Sequence, residues 1–423
     1  MTRTMMAVLL AAVLFALAGC STAKPGVSTS ETTVTASKET TFAPGNSDRP
    51  YKMVGKDKIF LHVVKTYDPA KYPKAAMDGE PSQIHFFKPE KDEGIRNRDY
   101  PDYGPKTFKF LALPSTIIPP QDYYMLQKNG GTLNKALKGT GYKATEILDG
   151  GHIKILPNLY LGYYDFAWVS LNVMTEYWSG NESMNAELWR GGNDYVIIGA
   201  SYNGGISLIA PPTVTDIKQL DGGGVGIMNP SFNMEALLNK KLKSVGLATE
   251  SDGGTVGIEM APPGYVMNDL MASRLKAVMA WGSYEVQLRQ RFHYRELISW
   301  DQMGYGKKVP YNVLVVRRDI LAKHPDIVQK VVQLNYEGTQ EALKVGDFRE
   351  PEYKRVDHFK SYYMGTPSKK AANINPKLLN LDAEANPVFL RDVYDYMVEH
   401  GYFKEPYEFE ELVDHSFYEK IAK

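Results

Sequence analysis

The sequence predicts an α/β protein built as two lobes. With 423 residues, the chain is longer than one hydrophobic core usually fills, so two bodies of ordinary domain size are expected. Through its middle, short apolar runs typical of strands alternate with helical patterns, which indicates parallel strands with helices on the faces of a sheet. Two such lobes joined by crossover strands fit this pattern better than one continuous sheet.

The composition excludes several classes of function. Apolar residues make up 43% and charged residues 23% of the chain, as in ordinary globular proteins. The 49 basic residues balance the 49 acidic ones without forming a basic stripe, so we expect no nucleic-acid binding. A single cysteine permits neither an internal disulfide nor a thiolate cage, and the eight histidines lack paired spacing. No metal site and no cofactor are therefore expected.

The first 20 residues predict secretion and lipidation. They read MTRTMMAVLLAAVLFALAGC, with Arg3 before an uncharged apolar run and small residues at its end, the order of a secretory signal peptide. The run is too short for a stable membrane span. The final LAGC resembles the bacterial lipobox, which implies a diacylglycerol on the thiol of Cys20 and cleavage just before it. The alternative is a plainly cleaved signal peptide with an incidental cysteine.

Two further segments precede the organised body. Residues 21–50 are rich in Ser and Thr and have almost no large apolar residues, so we expect a disordered tether. Residues 51–105 are polar and turn-rich, with one strand-like run, KIFLHVV, and form an N-terminal extension of unknown role.

The body begins with TFKFLALP, whose alternation predicts a strand that ends at Pro114. DYYMLQKNGGTLNKAL indicates helical segments broken at Gly130 and Gly131, and the apolar runs HIKILP, YDFAWVSL and DYVIIGAS follow. ISLIA, GVGIM, TVGIEMA and LKAVMAW predict strands, which alternate with helices over 232–245 and 265–273. NVLVVRR predicts a later strand, HPDIVQKVVQLNYEGTQEAL a helix with Pro325 in its first turn, and the C-terminal third is predominantly helical.

Three runs of this body resemble the solute-binding proteins of ABC importers, specifically the nitrate, sulfonate, taurine and thiamine-precursor group. The runs are ISLIAPPTVTDIKQLDGGGVGIMNPSFNMEALLNKKLKSVGL, VGIEMAPPGYVMNDLMASRLKAVMAW and VPYNVLVVRRDILAKHPDIVQKVVQ. The resemblance extends over residues 106–345, and the chain departs from it at Lys276, where the family often has an acidic residue. It implies a type II-like periplasmic-binding-protein clamshell, in which each lobe is a mostly parallel sheet flanked by helices.

The resemblance also divides the body. Residues 106–203 are expected to form the first part of lobe 1, residues 204–290 lobe 2, and residues 291–423 the second part of lobe 1 with C-terminal helices. The chain is expected to cross between lobes near Gly204–Gly205 and near Arg289.

Candidate ligand-binding residues lie where predicted strands end and where the lobes join. Ser231 opens a helix whose first N–H groups favour a negative group, although the side chain has the alternative role of capping that helix. For Tyr202 and Asn203, the alternative to ligand contact is a place in an ordinary turn. For Trp281, the alternative is burial in the hydrophobic core. The full set is Ser115, Thr116, Asn172, Tyr202, Asn203, Ser231, Phe232, Trp281 and Tyr284.

These observations lead to a hypothesis about function. The chain is expected to be a monomeric, lipid-anchored binding component of an ABC importer in a bacterial cell envelope, with no catalytic activity. It would capture a small organic solute of sulfonate, aromatic or pyrimidine-like character, bearing an anionic or strongly accepting group, and deliver it to a membrane permease and its ATPase. Two alternatives are an envelope sensor or accessory protein with the same clamshell, and an envelope enzyme. DGGGVG precedes a strand instead of opening a helix, and no P-loop occurs, so nucleotide chemistry is not expected.

Overall fold

A computed structural model describes residues 79–80, 104, 106–112, 120–148, 152–179, 192–228, 231–345, 380–403 and 407–422. These residues belong to one compact unit that begins at Asp48. The predicted signal peptide, Cys20, the tether and nearly all of the extension lie outside the described residues, as do Ser115 and Thr116. Within the described ranges, no helix is long and apolar enough to cross a membrane.

The strands of the described chain follow the apolar runs of the sequence. In chain order they are β1 (Thr107–Ala112), β2 (Lys143–Leu148), β3 (Phe166–Ser170), β4 (Tyr195–Asn203), β5 (Ile206–Ala210), β6 (Gly224–Met228), β7 (Gly257–Ala261), β8 (Ala277–Trp281), β9 (Arg295–Ile298), β10 (Pro310–Arg317) and β11 (Asn380–Leu381). Most are buried along their whole length, as is expected of strands covered on both faces.

The strands form two sheets. Sheet A has the order β11-β4-β10-β3-β1-β2, and sheet B has the order β7-β6-β8-β5-β9. The predicted two-lobed α/β fold is confirmed, and both sheets contain parallel and antiparallel strands. The parallel pairs are those of β2-β1-β3 and β7-β6-β8. The pairs that involve β5 or β10 are antiparallel because these strands begin at the end of the sheet where the chain crosses over, and β11 is antiparallel to β4.

Helices cover both sheets. They are α1 (Pro120–Asp122), α2 (Thr132–Ala136), α3 (His152–Tyr160), α4 (Leu171–Ser179), α5 (Phe232–Lys243), α6 (Pro263–Met271), α7 (Gly282–Arg291), α8 (Arg318–Lys323), α9 (Pro325–Val345), α10 (Pro387–Glu399), α11 (Phe409–Leu412) and α12 (Ser416–Ala422). The predicted break falls at Gly130–Gly131, where φ is +81° and +80°, and Pro325 begins α9 as expected. The apolar run HIKILP belongs to α3.

The first three residues of DGGGVG, Asp221–Gly223, form the turn before β6, as predicted, and the other three begin the strand. The Nζ of Lys276 donates to the carbonyl oxygens of Gln219 and Asp221 at 2.8 and 2.7 Å. A Cβ at Gly223 would overlap the Lys276 side chain, so the glycine allows this close approach. The lysine that departs from the resembled family therefore closes a turn.

The chain crosses between the sheets at two neighbouring passages. The first is Gly204–Gly205, between β4 and β5, and the second is residues 299–309, between β9 and β10. The N–H of Gly204 donates to the carbonyl oxygen of Val309 at 2.9 Å, so the passages lie side by side. The second passage falls later than the predicted position near Arg289, because Arg289 lies within α7 and β9 still pairs with β5.

Gly204→Ala is expected to destabilise the protein more than Gly205→Ala. Both glycines have positive φ, +89° and +76°, so each substitution should cost about 1 kcal/mol of backbone strain. A Cβ at Gly204 would also lie 2.6 Å from Cε2 of Trp300, whereas one at Gly205 meets no atom within 4 Å. Chemical denaturation of both variants measures the difference, and equal losses would contradict the packing of Gly204 against Trp300.

A buried ionic network lies at the opposite end of sheet A. Arg317 and Asp165 have no exposed side-chain surface, and Nη1 of Arg317 lies 3.2 Å from Oδ1 of Asp165. Nη2 donates to Oδ2 of Asp319 and to the carbonyl oxygen of Glu80, both at 2.8 Å. Lys109 adds a second cation, Nζ to Asp165 Oδ2 at 3.7 Å, and burial lowers the pKa of its ammonium group. The network therefore holds Glu80, in the N-terminal extension, against the fold.

The C-terminal segment, residues 380–403, touches both sheets. Its first residues, β11, pair with β4 of sheet A. Helix α10 then packs against α5, which follows β6 of sheet B, and the hydroxyl of Tyr402 donates to Oε1 of Glu235 at 3.0 Å. Beyond this segment the chain returns to sheet A, where Val413 bridges to Ile197. This segment therefore connects the two sheets independently of the two passages.

Candidate functional site

The two passages bring strand ends of both sheets together. In open α/β sheets, ligands bind beyond the carboxyl ends of the parallel strands. In sheet A, β3 and β4 end where β10 begins, and in sheet B Trp281, at the end of β8, pairs with Ile206, the first residue of β5. We call this region the crossover edge; its residues are Asn172, Tyr202, Asn203, Trp281, Tyr284, Tyr311 and Asn312.

Aromatic rings link the two sheets at the crossover edge. The ring centroid of Trp281 lies 5.0 Å from Tyr284 and 6.3 Å from Tyr311, and Tyr311 lies 5.6 Å from Tyr202. Burial raises the pKa of the Tyr311 and Tyr284 hydroxyls, so both stay protonated. Trp281 itself is half-buried and packs against the core, yet its Nε1 is buried without a hydrogen-bond partner. Trp281 therefore packs partly in the core, as the alternative held, and it also lies at the crossover edge, where it was predicted to contact a ligand.

Buried polar atoms without partners are concentrated here. Folded proteins pair the great majority of buried polar groups, so each exception needs an explanation. At the crossover edge, the atoms without a hydrogen-bond partner in the described structure are Trp281 Nε1, the Tyr311 hydroxyl oxygen, Asn172 Oδ1, Asn203 Oδ1, and both Oδ1 and Nδ2 of Asn312. Such a group of donors and acceptors is suited to a small polar ligand.

The position of two of these amides is well defined. Nδ2 of Asn203 donates to Oδ2 of Asp382 at 3.0 Å, which identifies Oδ1 as the atom left without a partner. Asn312 is fully buried and lies opposite Ser170 of β3 and Tyr202 of β4. Tyr311 and Asn312 were not among the residues predicted from the sequence, because they belong to the start of a strongly apolar strand. Their place shortly after a crossover, as an aromatic and an amide residue, is the local pattern that could have indicated them.

The first turn of α5 packs into the core. The side chain of Ser231 is fully buried and makes no capping bond, because its Oγ donates to the carbonyl oxygen of Met228 at 3.1 Å. The capping alternative for Ser231 is therefore wrong. Phe232 is also fully buried, and its ring centroid lies 4.4 Å from that of Tyr402 in the C-terminal segment. The Phe232 ring thus packs against Tyr402, and the Ser231 hydroxyl proton is already used within the protein.

Lys308 and Arg289 flank the crossover edge, and each lies near two carboxylates. Lys308 forms ion pairs with Glu384 and, at 3.7 Å, with Asp382; the hydrogen bond to Glu384 raises the pKa of the lysine. Arg289 lies 3.0 Å from Glu285 and 3.3 Å from Glu296. These cations are therefore compensated.

Carboxylates also lie on the helices that follow β1 and β3 of sheet A. Asp122 ends α1, and Glu176 lies on α4, one turn after Asn172; both are fully buried. The described residues contain no group of three or more His, Cys, Asp or Glu side chains placed to hold a metal ion.

Solved structures of solute-binding proteins share this fold. The alkanesulfonate-binding protein SsuA from Xanthomonas axonopodis pv. citri, bound to MOPS, is 12% identical with a TM-score of 0.50, over 74% of this chain and 99% of that one. The periplasmic aliphatic sulphonate-binding protein SsuA from Escherichia coli is 14% identical with a TM-score of 0.52, over 74% and 93% of the two chains. The ligand-binding component of an ABC-type import system from Staphylococcus aureus, with zinc bound, is 15% identical with a TM-score of 0.51, over 74% and 98%.

These likenesses concern the fold. The two-lobed architecture implied by the sequence resemblance is confirmed, because the shared region spans nearly the whole of each solved chain. No protein-family model and no curated protein sequence matches the chain.

Proposed function

We propose that this chain is the binding component of an ABC importer, a monomer anchored to a bacterial envelope membrane through a lipid on Cys20 and facing the periplasm or the exterior. The observation that carries the proposal is the concentration of unpartnered polar atoms and aromatic rings where the two sheets of a solute-binding fold meet. In this role the chain binds a small organic solute and performs no catalysis. A membrane permease and its ATPase receive the solute.

The passages provide the hinge for this role. Backbone rotation at Gly204–Gly205 and in residues 299–309 changes the angle between sheets A and B. Tyr202, Asn203 and Tyr311 belong to sheet A, whereas Trp281 belongs to sheet B. A solute that contacts the residues of both sheets favours the closed arrangement, because all of these contacts form at once only when the sheets are close together.

Two measurements test the proposal in sequence. Mass spectrometry of small molecules extracted from the purified protein identifies the solute. Small-angle scattering with and without that compound then measures closure, and we expect a smaller radius of gyration in its presence. Identical scattering profiles at saturation would contradict a hinged binding protein.

Cys20→Ala is expected to release the protein from the membrane fraction or to leave it unprocessed. The proposed diacylglycerol supplies most of the membrane affinity, and no other thiol exists in the chain to accept it. Fractionation and metabolic labelling with a radioactive fatty acid measure the effect, with Ser21→Ala as the matched control. Unchanged labelling of the Cys20 variant would show that the anchor lies elsewhere.

A further inference from the structure

We propose that the crossover edge binds a flat, non-anionic compound that carries N–H donors, and that Asn312 selects for it. The solute is then an amide, a ureide or a similar nitrogen compound, and not a sulfonate or nitrate. This inference rests on the proposed binding function and names its substrate class. The sequence led us to expect a solute with an anionic or strongly accepting group, and this inference keeps only the second of those alternatives.

The crossover edge has unpaired hydrogen-bond acceptors. The carbonyl oxygen of Asn203 is identified by the bond from its amide nitrogen to Asp382, and it has no partner of its own. Asn312 presents one carbonyl oxygen and one NH₂ group whichever way its amide is turned, and neither is paired. These oxygens require donors from the solute. Nitrate and the sulfonate group have only acceptor oxygens, so neither of them supplies a donor to these buried atoms.

The two cations named near the crossover edge are already paired. An anion in a buried site needs a cation or several donors to replace its lost hydration. Lys308 and Arg289 each contact two carboxylates already. Neither is therefore a free cation for a negative ligand, which favours a neutral one.

The remaining groups at the crossover edge favour a flat compound with an amide edge. An amide edge, with N–H beside C=O, pairs with the side-chain amide of Asn312 through two parallel hydrogen bonds, one in each direction. Nε1 of Trp281 is a donor and requires an acceptor such as a carbonyl oxygen. The rings of Trp281 and Tyr311 provide apolar surface suited to a flat body. A compound with both donors and acceptors on a flat skeleton meets these requirements together.

Benzamide and benzenesulfonate form a matched pair of probes. Both have a flat phenyl ring, but only benzamide is neutral and has N–H donors. We expect isothermal titration calorimetry on the full chain in detergent to show at least about tenfold tighter binding of benzamide. Tighter binding of benzenesulfonate, or no binding of benzamide up to its solubility limit, overturns the inference. If the chain nevertheless retains or binds an anion, the proposed binding function stands and only the solute class is wrong.

The Asn312→Leu variant distinguishes a role of Asn312 in selecting the solute from a role in stabilising the fold. Leucine keeps the approximate size of the side chain and removes two polar atoms that have no partner in the protein, so the melting temperature should stay equal or rise. Benzamide affinity should fall about tenfold, and the affinity for benzenesulfonate should not fall. Unchanged benzamide affinity would remove Asn312 from the site.

Asn335→Leu is the matched control for stability. Asn335 is equally buried, but its Oδ1 accepts from Trp168 Nε1 at 3.0 Å and its Nδ2 donates to the carbonyl oxygen of Ala200 at 2.7 Å. This variant should lower the melting temperature, because it leaves both partners unpaired. A similar loss of stability in Asn312→Leu would show that Asn312 has a structural role instead of a selective one.

Discussion

Arg317→Met is expected to lower the free energy of unfolding by about 3–5 kcal/mol. The substitution keeps an unbranched apolar side chain but removes the guanidinium group, which pairs with Asp165 at 3.2 Å and with Asp319 at 2.8 Å. Asp165 has no exposed side-chain surface, so its carboxylate would lose a buried cation, and the ammonium group of Lys109, at 3.7 Å, compensates for it only in part. The carbonyl oxygen of Glu80 would also lose its donor. Urea denaturation followed by circular dichroism measures the loss.

Lys323→Met provides the matched control for this prediction. Lys323 forms an ion pair with Glu80 at 2.6 Å, but the two side chains are 43% and 35% exposed, so water screens the pair. Its loss is expected to cost less than about 1 kcal/mol. A similar loss in both variants would contradict the claim that burial of the Arg317–Asp165 pair determines its importance.

Trp281→Ala is expected to weaken solute binding by at least about thirtyfold, the effect of removing a central buried aromatic contact. The indole ring lies between Tyr284 and Tyr311, and its Nε1 is available to hydrogen-bond the solute. Calorimetry with the compound extracted from the purified protein measures the change. Tyr265→Ala is the aromatic control, because Tyr265 is 68% exposed on α6 and should leave affinity unchanged.

The folded state of the Trp281 variant must be verified first. Trp281 also packs against the core, so its melting temperature should fall while the protein remains folded. If the folded variant binds the extracted compound as tightly as the wild type, Trp281 is only a core residue and the aromatic part of the proposed site is wrong.

Many of the elements were predicted from the sequence, because apolar runs and turn residues are local properties. The strand from Gly224 to Met228 and the helix from Phe232 to Lys243 lie where those patterns indicate, whereas β2 and β9 were not predicted. The direction of a strand is not a local property. The antiparallel positions of β5 and β10 follow from the route of the chain between the sheets, so no local pattern could indicate them.

Contacts between distant residues determine which of the predicted residues lie at the crossover edge. Phe232 follows a strand end, where a ligand contact is reasonable, but Tyr402, 170 positions further along the chain, packs against its ring. The place of Asn312 shortly after a crossover was a local signal, but its lack of a partner depends on the packing of β3 and β4 around it. Trp281, Tyr202 and Asn203 were predicted from their places beside the crossover and the end of a strand, and they lie at the crossover edge, where ligand contact stays a prediction.

In the proposed role, the C-terminal segment opposes separation of the two sheets. Its contacts with the sheet B side include Tyr402 with Glu235 at 3.0 Å and His400 with Asp252 at 3.1 Å, while β11 pairs with β4 of sheet A. Opening that moves the sheets apart would have to break contacts on one side or the other. We therefore expect slower entry and release of the solute than in a variant in which these contacts are removed. A longer residence time for each captured molecule is the expected kinetic consequence of this third connection between the sheets.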